Sequence, residues 1–347
     1  SKKLNMSLKN LSVKNKIPKI LTEKLDNKKV NLLYKKFEKS FNLDENFIVA
    51  VSGGSDSLAL AYLSKIYASI NNLRSEYFII DHRIRSESSS EAKLVKELLK
   101  KFHIKAEILT WLGKKPINNI QSVARNKRYE LLFKKCKKNK IKNILTGHHQ
   151  DDLFENFFIR FLRGSGLRGL VSLDKKTKIS GINLYRPLLN FKKDDLIFLS
   201  KYIFNFYVDD PSNRDEKYQR IKVRKLIKGL NGKGLDKSKL YKSIINLKDS
   251  DETIKFYVRQ NLINNTHYSL KKNKLILNQE FFSQPHEVVF RALSDSIKLV
   301  GKKYYSSRGK KIDKIITQIQ NDAFFKGTLG GCIIEKVNQT LIITKEI

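Results

Sequence analysis

Residues 47–60 read FIVAVSGGSDSLAL, and this stretch decides the class of fold. The five apolar residues Phe47–Val51 predict a short strand that is buried on both faces. A turn of Ser, Gly and Asp follows at Ser52–Ser57, and apolar residues then recur at helical spacing over Ser57–Ala68. The stretch therefore predicts a strand, a glycine loop and a helix in succession, which is the repeating unit of parallel sheets.

The same alternation continues outward from this unit. An amphipathic helix is predicted before it, around Val30–Phe41. The elements predicted after it are a strand at Tyr77–Asp81, a helix at Glu91–Phe102, a strand at Ala106–Trp111, a helix at Asn119–Lys137, a strand at Asn143–Thr146 and a helix at Asp152–Leu162. Strands that alternate with helices predict an α/β fold with a doubly wound parallel sheet.

The periodicity changes in the second half of the chain. A helix is predicted at Lys193–Phe204, and the glycines of Gly229–Gly234 mark the clearest domain boundary. Helices near Lys237–Asn264 and strands at Lys274–Asn278, Cys332–Lys336 and Thr340–Thr344 predict a smaller α+β domain. We therefore predict a Lys-rich lead-in over residues 1–46, an α/β domain over 47–228, a helical linker over 229–265 and a C-terminal α+β domain over 266–347.

The loop Ser52–Ser57 has the composition of an anion cradle. Gly53 and Gly54 let backbone N–H groups approach an anion, Ser52, Ser55 and Ser57 offer hydroxyls, and the helix N-terminus adds partial positive charge. No GxxxxGK[ST] or GxGxxG pattern is present, so the loop is neither a Walker A motif nor a dinucleotide fingerprint. Asp56 suits a loop in which Mg²⁺ bridges a carboxylate to phosphates, and its alternative role is that of a helix cap.

A second group of ionisable residues follows the fourth predicted strand. His148, Asp152 and Glu155 are spaced i, i+4, i+7, which predicts one polar face at the start of a helix. We favour a catalytic face on which Asp152 and Glu155 position Mg²⁺ or the nucleophile and His148 binds a ligand. A His/carboxylate metal site and a capped helix with solvated acids are the alternatives.

The composition limits the class of protein. The 347 residues carry 70 Lys+Arg against 34 Asp+Glu, a formal charge of +36 that favours a polyanionic partner, although much of it is a lysine background. A hydrophobic content of 40% excludes a disordered polycation, and the absence of a long apolar run or a signal-like start predicts a soluble, cytoplasmic protein without a membrane partner. Eleven of the 15 arginines lie between Arg83 and Arg224, which places function there.

These residues together resemble the tRNA(Ile)-lysidine synthase family of PP-loop ATP pyrophosphatases. The matching blocks are Val51–Leu60, Asp81-His82-Arg83 with Ser86 and Glu91, Ala124-Arg125 with Arg128-Tyr129, Gly147–Asn156, Arg163–Leu170, Arg186–Leu189, and Asp209–Asn213 with Tyr218, Arg220 and Arg224. The family usually reads Arg-Asn-x-x-Arg at the last block, whereas Ile221 follows Arg220 here, which puts a role for that Asn in doubt.

The resemblance implies ATP and Mg²⁺ as cofactors, with free L-lysine and an isoleucine tRNA bearing a CAU anticodon as substrates. It also implies that residues 47–228 are the PP-loop catalytic domain and that the C-terminal domain over 266–347 binds tRNA. It implies that Ser52–Ser57 bind ATP, that Asp56 and Asp152 organise Mg²⁺, and that Arg220 or Arg224 contacts the α-phosphate. Glu155 would recognise or deprotonate the lysine amine, and Arg128 and His148 would contact ligands. The product would be lysidine at the wobble cytidine, formed through an adenylated intermediate with release of pyrophosphate and AMP. The sequence does not decide between a monomer and a homodimer.

Three other functions compete with this interpretation. A tRNA thiolase of the same superfamily needs clustered cysteines, and Cys136 and Cys332 form no CxxC pair. A PP-loop synthetase that amidates a small molecule would normally carry a glutaminase domain. An inactive PP-loop that only binds RNA would not need Asp56, Asp152 and Glu155 together.

Overall fold

A computed structural model describes residues 18–113, 120–209, 217, 219–269, 274–302, 309–322 and 324–346. Within these ranges the chain divides into two compact units, Ser1–Tyr241 and Lys242–Ile347. Part of the last sequence block, Asp210–Asn213 with Tyr218, lies outside the described residues. None of the helices in these ranges combines the length and the hydropathy that crossing a bilayer requires.

The first unit contains helices and strands in near alternation. Its helices are α1 Lys19–Thr22, α2 Lys28–Ser40, α3 Ser55–Ile70, α4 Ser88–Lys101, α5 Ile120–Lys138, α6 Gln150–Phe161, α7 Leu167–Leu170, α8 Lys193–Phe204 and α9 Gln219–Gly232, with a 3-10 turn at Glu23–Asp26. Its strands are β1 Phe47–Val51, β2 Ser75–Asp81, β3 Ala106–Thr110, β4 Asn143–Leu145, β5 Lys176–Ile179 and β6 Ile182–Tyr185.

The six strands form one sheet in the order β3-β2-β1-β4-β6-β5. All neighbours are parallel except β5, which runs antiparallel to β6 at the edge. The prediction of a parallel-dominated, doubly wound sheet is therefore confirmed. Because the strand order reverses between β1 and β4, the crevice outside their carboxyl ends is the position at which such sheets bind ligands.

Residues before β1 belong to the core of this unit. Leu21, Tyr34 and Phe37 are fully buried, and the hydroxyl of Tyr62 in α3 donates a hydrogen bond of 3.2 Å to the carbonyl of Leu21. The predicted amphipathic helix is confirmed as α2, whose apolar face packs into this core. From Pro18 onward, the lead-in thus packs against the sheet-bearing unit.

The second unit is an antiparallel sheet with helices. The long helix α10 Lys237–Asn265 crosses the division between the units and leads into β7 Thr266–Ser269, β8 Lys274–Leu277, a 3-10 turn at Gln279–Ser283, α11 His286–Val300, α12 Gly309–Asn321, β9 Phe325–Leu329, β10 Cys332–Val337 and β11 Thr340–Lys345. The strand order is β7-β8-β11-β10-β9. Alternate residues of β11, Leu341 and Ile343, are buried, as expected of a sheet with one covered face.

The domain boundary predicted at Gly229–Gly234 lies later in the chain than expected. Both Gly229 and Gly232 lie within α9, and the compact units divide after Tyr241. The buried residues Ile221, Val223 and Ile227 anchor α9, which offsets the weak helical propensity of its glycines. The finer division into four segments stays a prediction.

Candidate active site

The glycine loop after β1 is held by its own serines. The backbone N–H of Ser52 donates to Oγ of Ser57 (3.0 Å), and that hydroxyl donates to the carbonyl of Gly54 (3.0 Å). Gly53 has φ of +85°, and a Cβ there would lie 2.6 Å from Cγ2 of Val95. The loop therefore requires glycine at position 53 for both backbone conformation and space.

The segment after β4 lies against this loop. A Cβ on Gly147 would lie 3.2 Å from the carbonyl carbon and oxygen of Asp56 and from the nitrogen of Ser57. The absence of a side chain at Gly147 allows the two segments to approach each other. The structure thus brings the two groups of polar residues from the sequence into one place, at the carboxyl ends of β1 and β4.

His149 connects the two segments, and sequence reasoning did not select it. Its ring is 6% exposed, and its Nε2 lies 3.6 Å from Oδ2 of Asp56 and 3.8 Å from Oδ2 of Asp152. His149 is the N-cap of α6: its Nδ1 accepts from the N–H of Asp151, and Asp152 accepts from the N–H of His149. Because Nδ1 accepts, Nε2 is the ring nitrogen that can donate, and it lies near both carboxylates. The sequence feature that could have identified His149 as the cap is Asp152, three residues later, which is the spacing of a capping box.

The predicted helical face of His148, Asp152 and Glu155 needs correction. Helix α6 begins at Gln150, so His148 precedes the helix, and its Nδ1 lies 2.9 Å from Oγ1 of Thr146. Burial, together with nearby arginines, lowers the pKa of His148 to about 3 although Asp152 opposes this. The imidazole is therefore neutral at pH 7.

Asp152 is an ionised carboxylate. Burial alone would raise its pKa, but His149, His148 and the backbone N–H of His149 lower it below the ordinary value. Its side chain is 13% exposed. Asp152 therefore keeps its negative charge in a largely enclosed position.

Glu155 is buried one turn further along α6. Nε of Arg224 donates to its Oε1 at 2.5 Å, and Nε of Arg220 lies 3.9 Å from Oε2. Burial raises the pKa of Glu155, and the negative charge of Asp152 adds to this, while the two arginines oppose it. The structure thus joins Glu155, Arg220 and Arg224, with both arginines on the helix α9.

The remaining arginines surround this group. Arg125 lies over the ring of Tyr129, 5.7 Å from its centroid, and Arg186 is buried, donating to the carbonyl of Asp174 (2.7 Å) and to Thr177 (2.9 Å). Arg128 is exposed on α5 and contributes, after burial, to the lowered pKa of His82, which is about 4. Of the predicted arginines, Arg220 and Arg224 contact an acid of the site, whereas Arg128 acts through its charge.

Lys193 is a second residue that sequence reasoning missed. Its Nζ lies 2.7 and 2.8 Å from the two carboxylate oxygens of Asp56 and 3.0 Å from Oγ of Ser55. It is the first residue of α8 and is 137 residues away from Asp56 in the chain, so no local pattern connects them.

The carboxylates are compatible with one Mg²⁺ ion. Among the described residues, no group of three or more His, Cys, Asp or Glu lies close enough together to hold a metal ion, so the structure does not assemble His148, Asp152 and Glu155 as a metal site. Mg²⁺ is commonly held by one or two carboxylates and by substrate phosphates, with the rest of its shell as water. Asp56 and Asp152, both close to His149, are the candidate carboxylate donors for such an ion.

Comparison with known proteins identifies the family. The profile of a PP-loop domain matches residues 23–230. The tRNA(Ile)-lysidine synthase of Wolbachia pipientis wMel is 34% identical over 304 residues, which cover 86% of this chain and 70% of that protein. That of Orientia tsutsugamushi is 35% identical over 322 residues, 88% of this chain and 71% of that protein. The chain belongs to the tRNA(Ile)-lysidine synthase family.

A solved structure supports the fold of this lysidine synthase family member. The U34-tRNA thiolase NcsA from Methanococcus maripaludis, described with a [4Fe-4S] cluster, aligns with a TM-score of 0.53 over 65% of this chain and 79% of that chain, at 17% identity. The likeness shows the fold alone. Cys136 and Cys332 of this chain are both buried and lie in different compact units.

Proposed function

We propose that this chain is a tRNA-modifying ligase that joins L-lysine to C2 of the wobble cytidine in the isoleucine tRNA with a CAU anticodon. The observation that carries the proposal is the convergence of the glycine loop, Asp152 and the buried Glu155 with its partner Arg224 near the carboxyl ends of β1 and β4, in a member of this family. ATP, free L-lysine and tRNA are its substrates, and a carbon–nitrogen bond is formed.

The first step of the proposed reaction is adenylation. The C2 carbonyl oxygen of cytidine attacks the α-phosphorus of ATP, and the bond to pyrophosphate breaks. Residues Ser52–Ser57 bind the phosphates with backbone N–H groups and hydroxyls at the start of α3. Asp56 and Asp152 would hold Mg²⁺, which neutralises phosphate charge when it is bound. Arg220 or Arg224 would stabilise the charge that develops on the α-phosphate.

The second step is displacement of AMP. An amine of lysine attacks C2, the C2–O bond breaks, and AMP leaves with the former carbonyl oxygen while the amine loses a proton. Glu155 is placed to bind that amine or accept the proton, because its raised pKa makes it a better base than an exposed carboxylate. Arg224 keeps Glu155 oriented through their hydrogen bond. The neutral imidazole of His148 and the guanidinium of Arg128 are the other proposed ligand contacts.

Loss of Asp56 separates an enzyme from an RNA-binding protein. An Asp56→Ala variant should bind tRNA with wild-type affinity but should release no lysine-dependent AMP, because the phosphates lose their metal-holding carboxylate. Binding is measured by filter retention and AMP by chromatography. Lysine-dependent AMP release at the wild-type rate would overturn the assigned role of Asp56. The oligomeric state, monomer or homodimer, is measurable by light scattering in the same preparations.

A further inference from the structure

Lys193 occupies a position that helix electrostatics disfavours. It is the first residue of α8, where the partial positive charge of the helix N-terminus repels a cation. Its ammonium group instead contacts both oxygens of Asp56 and the hydroxyl of Ser55. The contact with Asp56 therefore offsets the unfavourable position within the helix.

The helix α8 is attached to the glycine loop at a second point. The buried hydroxyl of Ser200, two turns after Lys193, donates a hydrogen bond of 2.6 Å to the carbonyl of Ser55. The ammonium group of Lys193 is thus held at the start of α3 by a fixed helix and not by a flexible loop. Both its side chain (37% exposed) and that of Asp56 (26% exposed) remain accessible to a ligand that enters the loop.

The glycine loop itself contains no cation. The residues SGGSDS include an acid and no lysine, whereas a Walker A loop carries its own lysine to the β- and γ-phosphates. Lys193 is a lysine brought to this loop from elsewhere in the chain. Without a ligand, it neutralises Asp56, which would otherwise repel phosphates.

We propose that Lys193 is the phosphate-binding lysine of this loop. It pairs with Asp56 in the nucleotide-free protein and contacts the phosphate oxygens of bound ATP on the pyrophosphate side. A metal ion that engages Asp56 would free Lys193 further for this contact. Lys193 and the metal ion then compete for Asp56. The proposal rests on the proposed function only in that ATP binds this loop, and it does not depend on the acceptor RNA or on lysine.

The test is equilibrium binding of ATP to the full chain by calorimetry, in EDTA and in excess Mg²⁺. Lys193→Met should weaken binding of metal-free ATP on the order of tenfold or more, since a charge-assisted hydrogen bond is lost and Asp56 is left unpaired. Lys193→Arg should retain most of the affinity. Lys192→Met, a change at the exposed neighbouring residue that caps α8, is the matched control and should bind ATP as the wild type does.

Asp56→Asn provides a prediction of opposite sign. This variant releases Lys193 from its ion pair, so metal-free ATP should bind more tightly than to the wild type. The double variant Asp56→Asn/Lys193→Met should lose that gain. Ser200→Ala removes the hydrogen bond between α8 and the carbonyl of Ser55 without changing the charge of the protein. Its ATP affinity therefore measures the effect of losing this helix contact alone, separately from the loss of the Lys193 cation.

Two results would overturn the proposal. One is that Lys193→Met binds ATP with wild-type affinity in both buffers. If its thermal unfolding midpoint were lowered at the same time, Lys193 would have only a structural role. The other is a double variant that keeps the gain of Asp56→Asn. If the binding pattern holds but no lysine is transferred to tRNA, the inference on Lys193 stands and the proposed function fails.

Discussion

Glu155 on α6 is paired with Arg224 on α9, with a distance of 2.5 Å between Oε1 and Nε. Only 2% of the Glu155 side chain is exposed, against 41% for Arg224, so the carboxylate is enclosed while the guanidinium reaches solvent. A buried carboxylate whose charged partners are themselves partly exposed is costly to keep unless it is used or fully compensated. This pair is the basis of the first prediction.

Glu155→Gln should separate the two proposed steps. Without the carboxylate, lysine transfer should fall by about 10²–10⁴-fold, because the amine loses its proton acceptor, while tRNA-dependent ATP–pyrophosphate exchange should continue. Single-turnover transfer of labelled lysine and pyrophosphate exchange are the two measurements. Glu97→Gln, at a carboxylate that is 64% exposed on α4, is the control and should leave both unchanged. Wild-type lysine transfer by Glu155→Gln would contradict the role of Glu155.

His148 should make the fold sensitive to acid. Its folded-state pKa is about 3, below the ordinary 6.5, so its stabilising contribution is present above pH 6.5 and is lost as the pH falls toward 3. Relative to His148→Gln, the wild type should lose up to about 2 kcal/mol of unfolding free energy between pH 6.5 and pH 5. Urea unfolding at both values measures this difference. The control is His267→Gln, at an exposed histidine of β7, whose unfolding free energy should depend on pH as that of the wild type does. If His148→Gln also showed the wild-type pH dependence, the imidazole of His148 would not be held neutral in the folded protein.

Gly53→Ala should damage the loop where Gly54→Ala does not. At Gly53 the positive φ and the 2.6 Å approach of Val95 both oppose a side chain, and the expected loss is about 1–3 kcal/mol. At Gly54, whose φ is −68°, a Cβ would meet its nearest neighbour, Oγ of Ser52, at 3.8 Å. Chemical denaturation of both variants checks the contrast, and equal stability of the two would show that the loop relaxes around the added methyl group.

In the second unit, Asp251 should contribute far more than Glu287 to the free energy of unfolding. Arg291 is buried and contacts Asp251 at 2.5 Å and Glu287 at 2.7 Å, but Asp251 is 3% exposed and Glu287 45%. Asp251→Asn leaves the buried Arg291 with the half-exposed Glu287 as its remaining acidic contact and should cost about 3–5 kcal/mol, whereas Glu287→Gln should cost about 1 kcal/mol or less. Thermal and urea unfolding measure both. A small effect of Asp251→Asn would show that water or Glu287, 2.7 Å from Arg291, is enough to compensate the arginine.

Local sequence signals sufficed for the parallel strands β1 to β4 and for the glycine loop. The apolar run Phe47–Val51 and the helix after Ser52–Ser57 were predicted, because burial on both faces and helical periodicity are visible in single segments. The hairpin of β5 and β6 was not predicted. Its turn residues Ser180 and Gly181 both have positive φ, a two-residue turn whose Ser-Gly signal was available in the sequence.

The contacts within the site depend on tertiary structure. Helical spacing selected His148, whereas the start of α6 at Gln150 makes His149 the cap that faces both aspartates. Lys193 could not be found by spacing, because only the packing of α8 against α3 brings it to Asp56. Glu155 was selected by spacing, but its pairing with Arg224 depends on the packing of α9 against α6.

Transfer of labelled lysine to RNA tests the central proposal most directly. The chain is incubated with ATP, Mg²⁺, labelled L-lysine and a transcript of the isoleucine tRNA with a CAU anticodon, and a methionine tRNA with the same anticodon serves as control. Label should enter the isoleucine transcript alone, with release of one AMP and one pyrophosphate per lysine. Label in neither RNA would contradict the ligase, and equal label in both would contradict its selectivity.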